Sequence, residues 1–387
     1  MANELSPTLA AQLALGVYQV NSGSDRLLKA FLSNRAFSQG DKSQSLLKAE
    51  VGGRILRAAT DGFGLCTKGA GLYQNDVFLI FRGTTEANNK ADFITDARIG
   101  ITRSRTGLPV HIGFNHTFNS MLPDIRSYLL ETKATGVVHC IGHSLGGAVA
   151  SLAADWVAKN TANRAQLYTF GAPRVGTEWF VKSTTDNILA KNMFRVYHRT
   201  DPVPMVALYP FMQAPYQHNG HFIGSTEPLA SGAAHSMAKY VLSVKEKTWK
   251  QLSSIPDQPY NVEAAIENWL QSKTPVTSAS ATFWRWIDSA LIYVLKKVAM
   301  TSILALQSVL IGAFTLADKI AYILAKGIEL ADNLSIWIEH LMRKMMQALG
   351  MRVVKAKEEL TRSLIRHVLR RITETASRDA SNALRNL

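Results

Sequence analysis

VVHCIGHSLGGAVASLAADWVA, residues 137–158, runs from an apolar strand through a sharp turn into an Ala-rich helix, with Gly142-His143-Ser144-Leu145-Gly146 at the turn. Gly-x-Ser-x-Gly between a strand and a helix is the pattern of a nucleophile elbow, in which a strained serine stands proud of a sheet edge. Glycine is needed at 142 and 146 because strand and helix backbones pass closely beside the serine, where a side chain would crowd the turn. The plainer reading is a Gly-rich turn whose serine only caps the helix.

Around that stretch, short apolar runs bounded by Gly and polar turns read as strands: ILRAAT (55–60), FGLCT (63–67), VFLIFRG (77–83), GVVHCIG (136–142), QLYTFG (166–171) and NMFRVYH (192–198). Helical stretches near 114–131, 147–159 and 177–190 separate the later ones. Strand and helix in alternation predict a mostly parallel sheet covered on both faces, an α/β fold. Past residue 250 the strand signals stop. Pro256, Pro259 and KTPVTSASAT (273–282) read as a linker, and the remainder reads as helix. The expected organisation is a 1–250 α/β unit, a 251–282 linker and a 283–387 helical module.

A serine nucleophile needs a base and the base an orienting acid, in the chain order Ser, acid, His for this type of elbow. In MFRVYHRTDPVP (193–204) Asp201 falls just beyond a strand, on the same sheet edge as Ser144, whereas Asp155 and Asp186 lie in or beside helical patterns. The alternative for Asp201 is an Asp-Pro turn initiator. His235 ends the loop PLASGAA and opens HSMAKYVLSV, so it ranks ahead of His218 and His221, which sit in the strand-like YQHNGHFIG. His340 and His367 read as polar-face residues of the helical tail. The N–H of Leu145 is one oxyanion donor, and Thr84, in the loop after VFLIF, is the expected second.

FRGT (81–84), VHIGF (110–114), GHSLGG (142–147), TFGAPRVG (169–176), RVYHRTDPVP (195–204) and HSMAKY (235–240) occur in an order and spacing that resembles the class 3, fungal-type lipase family over about residues 1–250. The resemblance implies an α/β-hydrolase, with Ser144 as nucleophile, Asp201 as acid, His235 as base and Thr84 as second oxyanion contact. It implies lipase, phospholipase A1 or other esterase activity without a cofactor or metal. The segment after FRGT, TEANNKADFITDAR (85–98), corresponds to the family's lid. It is polar apart from Phe93 and Ile94, which argues against strong interfacial activation, and Asp96 matches a structural aspartate.

The 43 Lys and Arg exceed the 29 Asp and Glu by 14, an attraction to anionic partners; no recognition motif accompanies the charge, so phospholipid is expected rather than nucleic acid. Only Cys66 and Cys140 are present, which excludes a disulfide framework. MANELSPTLAAQLALGVYQV (1–20) lacks a basic n-region, so the chain is expected to stay in the cytoplasm or to leave by a route without a cleavable signal. Residues 298–317 carry no formal charge over twenty positions and read equally as a membrane span or a buried helix. VVKAKEELTRSLIRHVLRRI (353–372) has one apolar and one basic face, suited to a lipid surface or to packing on the protein. Trp284, Trp286, Tyr293 and Trp337 suit a membrane interface.

The leading expectation is thus a phospholipase A1-type esterase, resembling antibacterial lipase effectors exported by type VI secretion, with an immunity protein and a secretion-spike component as partners. The alternatives are a housekeeping triacylglycerol lipase or esterase, and a membrane-disrupting or partner-binding helical module carried on a hydrolase scaffold.

Overall fold

A computed structural model describes residues 4–40, 43–51, 59–83, 100–218, 220–224, 231–253, 260, 262–280, 282–301, 316–354 and 356–385. Nine strands are described: β1 (Gln44–Val51), β2 (Ala59–Lys68), β3 (Val77–Phe81), β4 (Ile101–Arg103), β5 (Pro109–His111), β6 (Val137–His143), β7 (Arg164–Phe170), β8 (Met193–His198) and β9 (His221–Ile223). Seven of them form one sheet in the order β1-β2-β3-β6-β7-β8-β9, and β4 pairs with β5. From β3 to β9 every neighbour is parallel, while β1 and β2 form an antiparallel edge. The fold is an α/β-hydrolase.

The sheet is buried on both faces, which is why its strands read as unbroken apolar runs. In β3 the side chains of Val77, Leu79 and Phe81 join one core and those of Phe78 and Ile80 the other, following the two-residue period of a strand. The first face is covered by α3 (Ile112–Thr132) and α4 (Leu145–Asn160). The second is covered by α1 (Pro7–Gly16) and α6 (Met237–Val244), with Phe31 of α2 (Asp25–Leu32) in the same core, while α5 (Glu178–Ile188) adds Phe180, Val181 and Ile188 to the core of the first face. Ser6 caps α1, its Oγ accepting from Leu9 N–H at 3.1 Å, with Pro7 at the first helical position as expected. Strand β1 had no counterpart in the expected elements.

Beyond α7 (Trp249–Ser253), the helices α8 (Glu263–Gln271), α9 (Phe283–Thr301), α10 (Leu316–Leu330), α11 (Asp332–Ala348) and α12 (Arg362–Arg385) build a third core. Trp284 and Tyr293 are buried in it, Trp286 stacks on Trp269 at 5.9 Å, and Trp337 meets Tyr293 edge-on at 5.7 Å. The apolar face of α12, with Ile365, Val368, Leu369, Ile372, Ala376 and Ala380, is packed into this core, leaving Arg362, Arg366, Arg370 and Arg371 exposed. The aromatic residues suited to a membrane interface, and the amphipathic tail suited either to lipid or to packing on the protein, therefore pack within the protein. Four residues that follow the candidate acid in sequence, Val203, Met205, Val206 and Leu208, belong to the same helical core rather than to either face of the sheet.

Residues 302–315, most of the charge-free run, lie outside the described residues. Among the described residues no helix is long and apolar enough to cross a membrane.

Candidate active site

Ser144 sits between β6 and α4 with φ 55° and ψ −130°, a conformation that non-glycine residues rarely adopt and that the surroundings must hold in place. The neighbouring glycines account for that hold. A Cβ at Gly142 would lie 2.2 Å from the carbonyl oxygen of Gly146, and one at Gly146 would lie 2.2 Å from that of Phe81. Strand, turn and helix thus touch backbone to backbone, and Ser144 N–H is fixed by Phe170 O at 3.0 Å. Leu145 opens α4, so its N–H belongs to the first helical turn, whose donors have no partner within the helix. Thr84, the lid segment 85–98 and Asp96 lie outside the described residues.

Asp201 follows β8, and His235 ends a short 3₁₀ turn (Ala233–His235) ahead of α6. The structure brings them together: His235 Nδ1 lies 2.8 Å from Asp201 Oδ2 and 3.0 Å from Oδ1, both side chains being fully buried. A carboxylate only accepts, so Nδ1 carries the proton and Nε2 is left as the basic nitrogen. Nε2 is buried and has no hydrogen-bond partner among the described residues. The other two histidines go elsewhere. His221 lies in β9 against Trp249, its pKa pushed down to about 4 by burial, and His218 is exposed. Asp155 accepts from Thr184 at 2.9 Å and from Thr106 within the α4 packing, and Asp186 lies in α5.

Residues without an assigned role in the sequence reading frame this pair. Tyr240 donates to Asp201 Oδ2 at 2.7 Å and accepts from His198 N–H at 3.1 Å, and Val203 N–H donates to Asp201 Oδ1 at 2.9 Å. The carboxylate is thereby held by donors on both oxygens, while burial and the Asp201 charge push the Tyr240 phenol well above its ordinary value, keeping it a donor. Gly171, with φ +55°, passes so close that a Cβ there would stand 2.6 Å from Asp201 Oδ2 and 3.0 Å from His235 Nδ1. His143 donates from Nε2 to His235 O at 2.8 Å, and its Nδ1 accepts from Tyr18 Oη at 2.7 Å. Tyr18 Oη in turn accepts from Gly83 N–H at 3.0 Å. Burial and the neighbouring His235 hold His143 well below the usual imidazole value, so it stays neutral and keeps this tautomer. One hydrogen-bonded chain therefore runs from the loop after β3, through the residue before the serine, to the backbone of the histidine.

A lipase (class 3) family model matches residues 78–211. "Secreted mono- and diacylglycerol lipase 1" of Fusarium solani is 37% identical over 101 residues, 25% of this chain and 29% of that protein. "Secreted mono- and diacylglycerol lipase A" of Penicillium cyclopium is 34% identical over 137 residues, 34% of this chain and 43% of that protein. The matched stretches thus span less than half of those relatives' lengths. Among solved structures, the Lip2 lipase of Yarrowia lipolytica is 24% identical over 62% of this chain and 89% of its own, with a TM-score of 0.38. The expectation of a cytoplasmic protein, or of one leaving without a cleavable signal to associate with membranes, is corrected here: the relatives are named as secreted lipases, and no described helix can span a bilayer. The likeness to class 3 lipases thus rests on residues 78–211, the stretch that holds the elbow at Ser144 and the candidate acid Asp201.

Proposed function

We propose that the protein hydrolyses carboxylic esters of lipids through Ser144, His235 and Asp201, with residues 1–250 as the hydrolase unit and 283–387 as a helical module docked on it. The observation that carries this is a strained serine at a strand-to-helix turn whose neighbour His143 binds the backbone of His235, itself paired with the buried Asp201.

His235 Nε2 takes the Ser144 hydroxyl proton as Oγ attacks the ester carbonyl carbon. The oxyanion of the tetrahedral intermediate is held by the N–H of Leu145, with Thr84 as the second donor, and Asp201 stabilises the imidazolium and fixes its orientation. Collapse expels the alcohol, which takes the proton from Nε2, leaving the acyl group on Ser144. Water attacks that ester, giving its proton to His235, and the carboxylic acid leaves as Oγ recovers its hydrogen. Asp201 accepts from three donors, Tyr240 Oη, Val203 N–H and His235 Nδ1, which hold its carboxylate in place.

For the substrate, the names of the relatives favour neutral acylglycerols, while the excess of 14 positive charges favours anionic phospholipid cleaved as a phospholipase A1 would. Ser144→Ala should abolish fatty-acid release from emulsified diacylglycerol and from phosphatidylglycerol vesicles alike. Release by the alanine variant at the wild-type rate would overturn the proposal, and the ratio of the two wild-type rates separates the substrate classes.

A further inference from the structure

The helical module does not hang from the hydrolase unit by its linker alone; it grips the two loops that carry the candidate acid and flank the candidate base. Val203, Met205, Val206 and Leu208 put the stretch after Asp201 into the core of α8–α12. At the centre of this seam Asp288, on α9, is buried, and its Oδ1 lies 2.6 Å from Arg174 Nη1 and accepts from Tyr209 N–H at 3.2 Å. Arg174 stands three residues beyond Gly171, the glycine pressed against Asp201 and His235, and its own N–H donates to Val206 O at 2.7 Å. One carboxylate from the helical module therefore ties the loop after β7 to the loop after β8.

One turn earlier on α9, Arg285 donates to Tyr197 Oη at 3.1 Å and lies over the rings of Tyr197 and Tyr260 at 5.1 Å and 4.4 Å. Tyr197 is the residue before His198, whose N–H binds Tyr240. Arg195, on the same strand, also lies over the Tyr197 ring, 4.4 Å from its centre. The charges of Arg174 and Arg285 both bear on its buried guanidinium and, with desolvation, hold it below the usual arginine value. Of these three guanidiniums, Arg174 is the one that Asp288 meets directly. The far end of the module reaches the site as well, since α12 packs against both the turn Val203–Met205 and the turn Ala233–His235.

We propose that the helical module positions the triad, with Asp288 acting through Arg174 to hold the loop after Asp201 and the loop after Gly171 in the register that keeps Asp201 bonded to His235. This rests on the reading of Ser144, His235 and Asp201 as a hydrolytic triad. Asp288 touches no reacting atom and is a positioning residue. Its loss leaves the buried Arg174 guanidinium without its counter-charge, and the two loops separate. A displacement of Asp201 by about 1 Å is of the size that lowers turnover about 100-fold.

The test uses the full chain, p-nitrophenyl butyrate as a soluble ester, and a fluorophosphonate that labels an activated serine. Asp288→Asn should lower kcat by roughly 10- to 100-fold with KM nearly unchanged, and slow labelling in parallel. Asp288→Glu, which restores the charge, should recover a large part of the rate. If Asp288→Asn fails to fold, Arg174→Met combined with Asp288→Leu removes both charges, preserves packing, and is read in the same way. Wild-type kcat and an unslowed labelling rate in either folded variant would overturn the positioning role, as would collapse of both variants, which would assign the pair to stability alone. Labelling or hydrolysis that survives Ser144→Ala would instead overturn the triad reading, leaving the two failures distinguishable.

Discussion

Gly171→Ala is the sharpest test of the site, because the structure separates its two consequences. The backbone there has φ +55°, and an added Cβ would stand 2.6 Å from Asp201 Oδ2 and 3.0 Å from both His235 Nδ1 and Tyr240 Oη. The left-handed backbone conformation alone costs an L-residue about 1–2 kcal/mol. The crowding is a separate matter. Ordinary van der Waals contact begins near 3.4 Å, so Asp201 must retreat by about 0.8 Å or the loop must shift by as much. Misplacement on the 1 Å scale costs about 100-fold in rate, so kcat on a soluble ester should fall by roughly that factor while KM changes little. Gly71 supplies the control: its φ is +57° and a Cβ there meets nothing within 4 Å, so Gly71→Ala carries the same backbone penalty without the crowding. Both variants should lose a few degrees of thermal midpoint, and only Gly171→Ala should lose turnover. Equal kcat in the two variants, each corrected for folded fraction, would refute the argument that Gly171 sets the Asp201–His235 geometry.

Tyr240→Phe removes a donor to the Asp201 carboxylate and the acceptor of His198 N–H; a buried hydrogen bond to a charged group is worth about 1.5–3 kcal/mol. Urea unfolding should show a loss of that order together with about a tenfold fall in kcat, and an unchanged kcat would place Tyr240 in packing only. Stability should also fall with acid. Burial pushes His111 down to about 4, against about 6.5 in the unfolded chain, so between those pH values the unfolded chain holds a proton that the folded one lacks. The stabilisation is complete above pH 6.5 and is lost as the pH falls towards 4, by an amount on the order of 3 kcal/mol. His111→Gln keeps an acceptor for Gly113 N–H, which His111 Nδ1 holds at 3.2 Å, and should lose that much less between pH 7.5 and pH 4.5. Parallel losses in the two proteins would count against a neutral, buried His111.

What could be read from the sequence was local, or was repeated along one element. The elbow was legible because Gly142, Ser144 and Gly146 lie within five residues and the strand before and helix after them announce themselves by their apolar periods. The central strands were legible because burial on both faces makes them continuously apolar. Strand β1 was missed for the opposite reason. It is an edge strand whose inward Leu47 and Ala49 alternate with outward Lys48 and Glu50, a charge-blunted pattern that resembles a loop when read without its partner β2. Gly171, Tyr240, Tyr18 and His143 stood inside or near motifs that had been picked out, yet nothing local says that a tyrosine from the first helical segment will meet the backbone of Gly83, 65 residues away. Such partners follow from tertiary closeness alone, which periodicity does not encode.

The helical third shows the same limit from the other side. Its periodicity predicted helices correctly, and its apolar faces were consistent with either lipid or protein as the covering phase, because both satisfy the same pattern. The deciding information lay in a different part of the chain. The loop Val203–Leu208 is too apolar to face water and belongs to neither face of the sheet, so something outside the hydrolase unit had to cover it. Asp288 supplies the polar counterpart: a buried acid on an otherwise apolar helix face is costly unless a cation awaits it, and the cation is Arg174. An apolar stretch directly after a triad acid, together with an unmatched acid on a later helix, is thus a sequence signal for docking within the chain, and it points away from a module that leaves the hydrolase to meet a membrane.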